Sequence, residues 1–412
     1  MKLLKFKYKP VILSCLFLTA LFGCVVTMRP PYEGPPQFPV EGDALMRLGP
    51  ERFPGFSDDY SMQSLKEAIT RSIKYLSKLN ENDTVRYARD VYTIRELKES
   101  LSYFLTLINE TEGDFNLLNR RIKEHFAVYA ATGSDAGGSI FFTGYYLPAL
   151  KGSKVKTARY RYPLYATPPD RITAELSSFK EHFKGETIVG RVIGTKMLPY
   201  YTNGEIMKGA LEGRGLELFW VDDKVDLFFL QVQGSGIIEF EDGKSVNVGY
   251  SGGNGHAYKS IGKLLADEGK IPLSEVTAQA IKKYLREHPE ETDRVISYNP
   301  SYVFFKESKE PAVGAAAMPL VAGRNIAVDK SVFPLGSLVF VSSYKAQFSS
   351  DGKTATAVPL MRFALCMDTG GAIKGPGRAD FFWGGGKEAE AQAGVMKDHG
   401  IMYVIVKKKA GD

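Results

Sequence analysis

Apolar residues recur every three or four positions over residues 58–79, 93–109 and 114–126, with capping residues in front, and this spacing predicts three amphipathic helices at the start of the body. Past them the texture changes to short apolar, β-branched and aromatic runs at 139–147, 216–221, 227–232, 325–328, 338–342, 362–367 and 401–406. Gly and Pro punctuate these runs at short intervals, as small barrels require. Three more helical patterns, 258–266, 275–287 and 387–397, interrupt the strands. Short strands without regular helical crossovers predict an α+β fold, mainly β, containing a barrel, and argue against a doubly wound parallel sheet. No internal repeat is visible, which excludes solenoids and propellers.

The amino terminus reads differently. Lys2, Lys5, Lys7 and Lys9 precede an apolar run at 11–22, the pattern of an export signal over residues 1–23. A helix of that run reaches roughly 18 Å, short of the ~30 Å hydrocarbon layer, so a stable membrane span is not expected. Leu21-Phe22-Gly23-Cys24 resembles a bacterial lipobox, with acylation of Cys24 as its consequence. Val25, in place of Asp, resembles the pattern sorted to the outer membrane. Multiple acyl chains, at about 0.8 kcal/mol per buried CH₂, would hold the protein there. Residues 24–56 then read as a proline-rich tether reaching up to ~90 Å at about 3.1 Å per residue.

The length of 412 residues predicts two or three domains, or one carrying a large insertion. The net charge is +6, but four of the excess positive charges lie within the first nine residues, and no Lys/Arg stripe is threaded with aromatics. Nucleic acid is therefore not the expected partner. Cys15 leaves with the signal and Cys24 takes lipid, so Cys366 has no disulfide partner and reads as a buried strand residue.

Among chemical groups, the scattered histidines form no HExxH and no His/Cys spacing, so no metal is expected; no phosphate loop or dinucleotide fingerprint occurs, so no cofactor is expected either. Gly234-Ser235-Gly236 follows an apolar run read as a strand and lacks the spacing of a nucleophile elbow. Carboxylates remain. Asp329, Asp368 and Asp380 each stand at the end of an apolar run, and Asp380 is followed directly by Phe381-Phe382-Trp383. A free aspartate, with pKa about 3.9, is protonated roughly once in a thousand molecules at pH 7. Burial against aromatics that lifts this pKa by ~2 to 3, about 3 to 4 kcal/mol, makes the group a usable general acid. Arg378 pulls the other way if it points at the same carboxyl. Glycine-rich, aromatic segments at 141–148, 231–236 and 250–258 offer platforms and polar groups suited to a sugar chain.

These segments form an ordered set: Phe142-Thr143-Gly144-Tyr145-Tyr146 and Pro148, Gln233-Gly234-Ser235-Gly236, Val248-Gly249-Tyr250 through Tyr258, and Asn299-Pro300-Ser301-Tyr302-Val303-Phe304-Phe305. It continues with Gly323-Arg324-Asn325-Ile326-Ala327-Val328-Asp329, Pro334-Leu335-Gly336, and Asp368-Thr369-Gly370-Gly371-Ala372-Ile373-Lys374-Gly375 through Asp380. Together they resemble the membrane-bound lytic murein transglycosylase A family, and the last part resembles its three-aspartate module. The resemblance implies a double-psi β-barrel built from residues 57–148 and 299–412, with a β-rich domain inserted at 149–298 and a groove between them. It implies cleavage of the β-1,4 bond between N-acetylmuramic acid and N-acetylglucosamine without water, leaving a 1,6-anhydro ring. By motif position Asp380 falls on the catalytic acid, Asp329 and Asp368 on supporting groups, and Thr143, Gly144, Tyr145, Gln233, Gly234, Ser235, Tyr250, Asn254 and Lys374 on substrate contacts. The implied partners are peptidoglycan glycan strands, outer-membrane lipid through Cys24, and proteins of wall synthesis or division. Residues 313–319 and 345–358 match less clearly, the latter reading as a surface insertion between barrel strands. Two rivals are a hydrolase that pairs Asp380 with Asp368, and a wall-binding lipoprotein without catalysis.

Overall fold

The computed structural model describes residues 44–133, 138–183, 186–310, 312–349 and 355–409, together with Thr27, Met28 and Gly411. The expected signal, Cys24 and most of the proline-rich segment lie outside the described residues. No helix among the described residues is long and apolar enough to cross a membrane.

The three opening helices are α1 (Met62–Leu76), α2 (Ile94–Glu110) and α3 (Phe115–His125). Thr93 accepts from the Glu96 amide while the Glu96 carboxylate accepts from the Thr93 amide, a reciprocal cap that fixes where α2 starts. The chain leaves α3 directly into β1 (Phe126–Ala131) and then β2 (Ile140–Leu147). The tether is shorter than the sequence reading. Leu45–Arg47 pairs with β1, and Leu45, Leu48 and Phe56 are buried, so residues from about 45 onward belong to the body because their apolar side chains complete its core.

The inserted domain holds β3 (Ala149–Ser153), β4 (Tyr162–Tyr165), β5 (Glu217–Val221), α4 (Lys224–Gln233), β6 (Ser235–Glu239), β7 (Ser245–Gly253), α5 (Ile261–Asp267), α6 (Ala278–Glu287), α7 (Thr292–Tyr298) and β8 (Val303–Ser308). Its strands run in the order β8-β7-β6-β3-β5-β4, and a bridge between Ala166 and Phe305 joins the two ends into a closed barrel. The insert therefore runs past residue 298. β8 pairs with β7 over six positions and completes this barrel rather than the other.

Residues 227–232, read above as a strand, are helical. Asp223 accepts from the Val225 and Asp226 amides at the front of α4, and Gly234, at φ 78°, ends it in the left-handed conformation that glycine adopts without strain. The misreading has a physical cause. One side of α4 packs on the insert barrel through Leu227 and Leu230, the other on α5 to α7 through Val225, Phe228 and Phe229, and a helix with apolar residues on two sides loses its single-stripe signature.

The second barrel contains β2 and five later strands: β9 (Asn325–Ala327), β10 (Leu338–Phe348), β11 (Ala355–Asp368), β12 (Arg378–Gly385) and, after α8 (Lys387–Val395), β13 (Lys397–Lys407). Pairing runs β11-β9-β12-β2-β13-β10 and returns to β11, so these six strands close on themselves. The β9–β11 and β12–β2 pairs are parallel, the rest antiparallel. Parallel neighbours need long connections, and here the whole insert lies between β2 and the strands it joins. At both ends of the stretch read above as a surface insertion between barrel strands, Lys345 pairs with Val358 and Phe348 with Ala355, so β10 and β11 extend past the barrel as a two-stranded ribbon. Cys366 is fully buried in the core, which pushes its thiol pKa up.

The two domains meet at a polar seam. Lys282 on α6 donates to Glu390 on α8 at 3.0 Å and to the Tyr146 hydroxyl at 3.2 Å, and pairs with Asp226 of α4 at 3.1 Å. Beside it lies a cleft of about 580 Å³ lined by Tyr146, Gln279, Lys282 and Glu390 among others.

Candidate active site

Register in the second barrel brings the chemistry together. β12 lies between β9 and β2, so Asp380 sits opposite Ala327 on one side and Thr143 on the other. The Thr143 hydroxyl donates to Asp380 Oδ1 at 2.9 Å. Asp380 keeps partial access to solvent while its carboxyl lies in dense surroundings. Burial pushes its pKa up to about 6; the Thr143 bond and the Arg378 charge pull down, and the Asp368 charge pushes up. At pH 7 about one molecule in ten then carries the proton, some hundredfold more than for a free aspartate.

Arg378, two residues before Asp380, turns to other partners. It donates to the Phe141 carbonyl at 3.2 Å and to Thr143 Oγ1 at 3.3 Å, and its guanidinium stacks over the Phe141 ring at 4.8 Å. No ion pair between Arg378 and Asp380 occurs among the described residues, so the arginine lowers the carboxyl's pKa only through space. Its own pKa is lowered by burial.

Asp368 ends β11 close by. Its Oδ2 accepts from the Tyr145 hydroxyl at 2.8 Å, and its Oδ1 from the amides of Ala315 and Thr369, each at 2.9 Å. Burial raises its pKa, and these three donors act against that. The apolar stretch at 313–319 meets Asp368 through its backbone, by the Ala315 amide, and a Cβ at Gly314 would come within 2.5 Å of the Met367 carbonyl. Tyr145 is held well above the ordinary phenol range, by burial first and then by the charge of Asp368. Its ring packs on Phe382 at 5.1 Å.

Asp329 is separate from this cluster. It accepts from the Ser331 amide and hydroxyl at 3.0 and 2.7 Å and from the Gly375 amide at 2.8 Å, tying the turn after β9 to the loop at 369–377. Burial alone would raise its pKa, but these bonds and the nearby Lys374 charge hold it below the usual value. Lys374 itself is exposed on that loop.

Several expected substrate contacts have other work. Asn254 is 1% exposed; its amide donates to the Tyr201 and Pro300 carbonyls, both at 2.8 Å, and its oxygen accepts from the Tyr302 and His256 amides. Every polar position is used inside the insert, so it has none to offer a glycan. Gln233 accepts from the Tyr146 amide at 2.9 Å and so fastens α4 to β2. Gly234 terminates α4. Ser235 is half-buried, and Tyr250 is 57% exposed on β7. Gly144 is a packing position: a Cβ there would lie 2.7 Å from Trp383 Nε1 and 2.8 Å from the Ala393 backbone. Gly144→Ala is expected to push α8 and the Trp383 ring away from β2 at a cost of about 1 to 3 kcal/mol, readable as a lower Tm together with reduced activity.

Sequence reasoning missed the seam lysine, Lys282, and the Ala315 amide. An amide has no sequence signal, and Lys282 looks like any lysine on an amphipathic helix.

Comparison with known proteins agrees with this architecture. The profile of the MltA specific insert domain matches residues 141–306, and that of the 3D domain matches residues 324–406. Membrane-bound lytic murein transglycosylase A of Escherichia coli (strain K12) is 35% identical over 276 residues, covering 66% of this chain and 67% of that protein. The Vibrio cholerae protein of the same name is 32% identical over 285 residues, covering 68% and 69%. Among solved structures, a membrane-bound lytic murein transglycosylase from Agrobacterium tumefaciens superposes with a TM-score of 0.70 at 28% identity, covering 88% of this chain and 98% of that one. E. coli MltA with bound chitohexaose gives 0.68 at 26% identity, covering 92% and 97%. With two curated relatives above 30% identity, each matched over two thirds of its length, this chain belongs to the membrane-bound lytic murein transglycosylase A family.

Proposed function

We propose that Asp380, acting without a second carboxylate, carries both proton transfers in this chain's reaction. As a member of its family the protein is a lytic transglycosylase, a lyase that cleaves peptidoglycan glycan strands. The observation that carries the single-residue reading is the contrast between the two neighbouring carboxyls. Burial pushes the Asp380 pKa up to about 6, and Asp380 uses only Oδ1 for hydrogen bonding among the described residues, whereas Asp368, also raised by burial, has both oxygens occupied by three donors. A hydrolase needs one carboxyl to protonate the leaving oxygen and another to attack or to activate water. Here the second is not free. The sugar's own C6 hydroxyl supplies the nucleophile instead: Asp380 protonates the glycosidic oxygen between N-acetylmuramic acid and N-acetylglucosamine, the bond breaks, and the resulting carboxylate takes the proton from that hydroxyl as the 1,6-anhydro ring closes.

Asp368 holds Tyr145 and the 313–319 segment beside this carboxyl, and its charge helps keep the proton on Asp380. Tyr250, Ser235 and Lys374 are accessible to a bound strand. Acylated Cys24 would place the enzyme on the periplasmic face of the outer membrane, within reach of the wall and of proteins that build or divide it. Mass spectrometry of digested wall tests the chemistry: each product is expected one water lighter than the corresponding hydrolysis product. Products carrying a free reducing end would return the two-carboxylate hydrolase to first place, and wall that stays intact would favour the binding lipoprotein.

A further inference from the structure

The Thr143 hydroxyl has one hydrogen and two lone pairs, and two neighbours compete for them. Arg378 can only donate, so its contact at 3.3 Å places Thr143 Oγ1 as acceptor. The hydrogen then goes to the acceptor the structure offers, Asp380 Oδ1, at 2.9 Å. A proton on Oδ1 would face that same hydroxyl hydrogen, and turning the hydroxyl away would leave its hydrogen without a partner among the described residues. Asp380 Oδ2 has no hydrogen-bond donor among those residues.

We propose that Arg378 and Thr143 are positioning residues which pin the Asp380 proton to Oδ2, the oxygen left open for the glycosidic bond, and return the carboxylate to the same orientation after each turnover. The proposal rests on the single-residue reading above. It assigns Thr143 to steering the acid rather than to gripping the sugar. The arrangement also fixes a balance. The charged and titratable groups acting on Asp380 are Arg378 from its own strand, Asp368 from the end of β11 and, coupled to it, Tyr145 from β2; β9 places only Ala327 opposite. The Thr143 donor and the Arg378 charge favour the carboxylate, which Asp380 needs when it acts as base, against burial and Asp368, which favour the acid.

The test follows rate against pH for Thr143→Val and Thr143→Ser on solubilised glycan strands, alongside ¹³C NMR of protein labelled at the Asp carboxyls, with Asp380 assigned from Asp380→Asn. Because Asp380 must start protonated, the wild-type rate falls as pH rises through its pKa. Valine keeps the shape and removes the donor, so the falling limb and the NMR titration should both move up by about one pH unit, with kcat reduced severalfold on the acid side and KM nearly unchanged. Serine should restore all three. Arg378→Gln, which removes the other carboxylate-favouring group, should move the limb the same way and gives the readout if the valine variant does not fold. An unmoved limb in the folded variants overturns the proposal, as does a rise in KM with the titration in place, which would make Thr143 a sugar contact. An active Asp380→Asn would defeat instead the reading beneath it.

Discussion

Asp380→Asn is expected to abolish anhydro-sugar release, by about 10³-fold or more, while making the folded protein more stable at neutral pH. Both halves follow from one fact. The folded-state pKa of Asp380, about 6, lies above the ordinary carboxylate value of 3.8, so the fold resists its ionisation. Stability linked to this group is fully present below the ordinary value and is lost as pH rises through about 6, a loss of up to about 3 kcal/mol. Asparagine has nearly the same shape, stays neutral at every pH and can still accept from Thr143. Its Tm at pH 7.5 should therefore exceed that of the wild type by several degrees, and the gap should close below about pH 4. Paired measurements of Tm and of anhydro-product release decide the matter. Inactivity with a lowered Tm would point to misfolding, and near-normal turnover would remove Asp380 from the reaction.

The coupling of rate to instability also shows how far the sequence could be read. Three aromatics after Asp380 predict a desolvated carboxyl, and burial does lead the pKa shift, although the named walls differ: Phe381 belongs to the barrel core, Phe382 packs on Tyr145, and Trp383 lies against Gly144. The direction of Arg378 could not be read, because strand spacing alone puts Arg378 and Asp380 on one face, and only the parallel neighbour β2 offers the Phe141 carbonyl and Thr143 hydroxyl that draw the guanidinium aside. Asn254 fails as a sugar contact for a related reason. A polar residue in a glycine-rich turn looks the same in sequence whether it faces solvent or, as here, ties Tyr201, Pro300 and Tyr302 together. Helices with one apolar face and a cap were legible; α4, apolar on both sides, was not.

The same blindness to distant partners hides a buried charge pair at the side of the second barrel. Arg324 stands in the motif that leads into β9, and nothing in its sequence neighbourhood names its partner, because its counter-ion, Asp58, lies 266 residues earlier. Both side chains are 0% exposed, and the pair is bidentate at 2.6 and 2.8 Å. The remaining guanidinium donors go to Ser64 Oγ at 2.9 Å, the Phe363 carbonyl at 2.8 Å and the Ser61 carbonyl at 2.9 Å, so all five are used. Asp58 also accepts from the Phe363 and Tyr60 amides, which joins the segment before α1 to β9 and β11 through one charge pair. Arg324→Met should leave the Asp58 carboxylate buried without its cation and cost about 3 to 5 kcal/mol, lowering Tm by roughly 10 °C. Adding Asp58→Leu should recover much of that loss, since a buried pair replaced on both sides by apolar groups is often close to neutral. β9 is the strand that places Ala327 beside Asp380, so activity should fall along with the folded fraction in the single variant and return in the double. Thermal unfolding of the two variants checks this: a single variant within about 1 kcal/mol of the wild type would show that the pair does not hold the barrel closed.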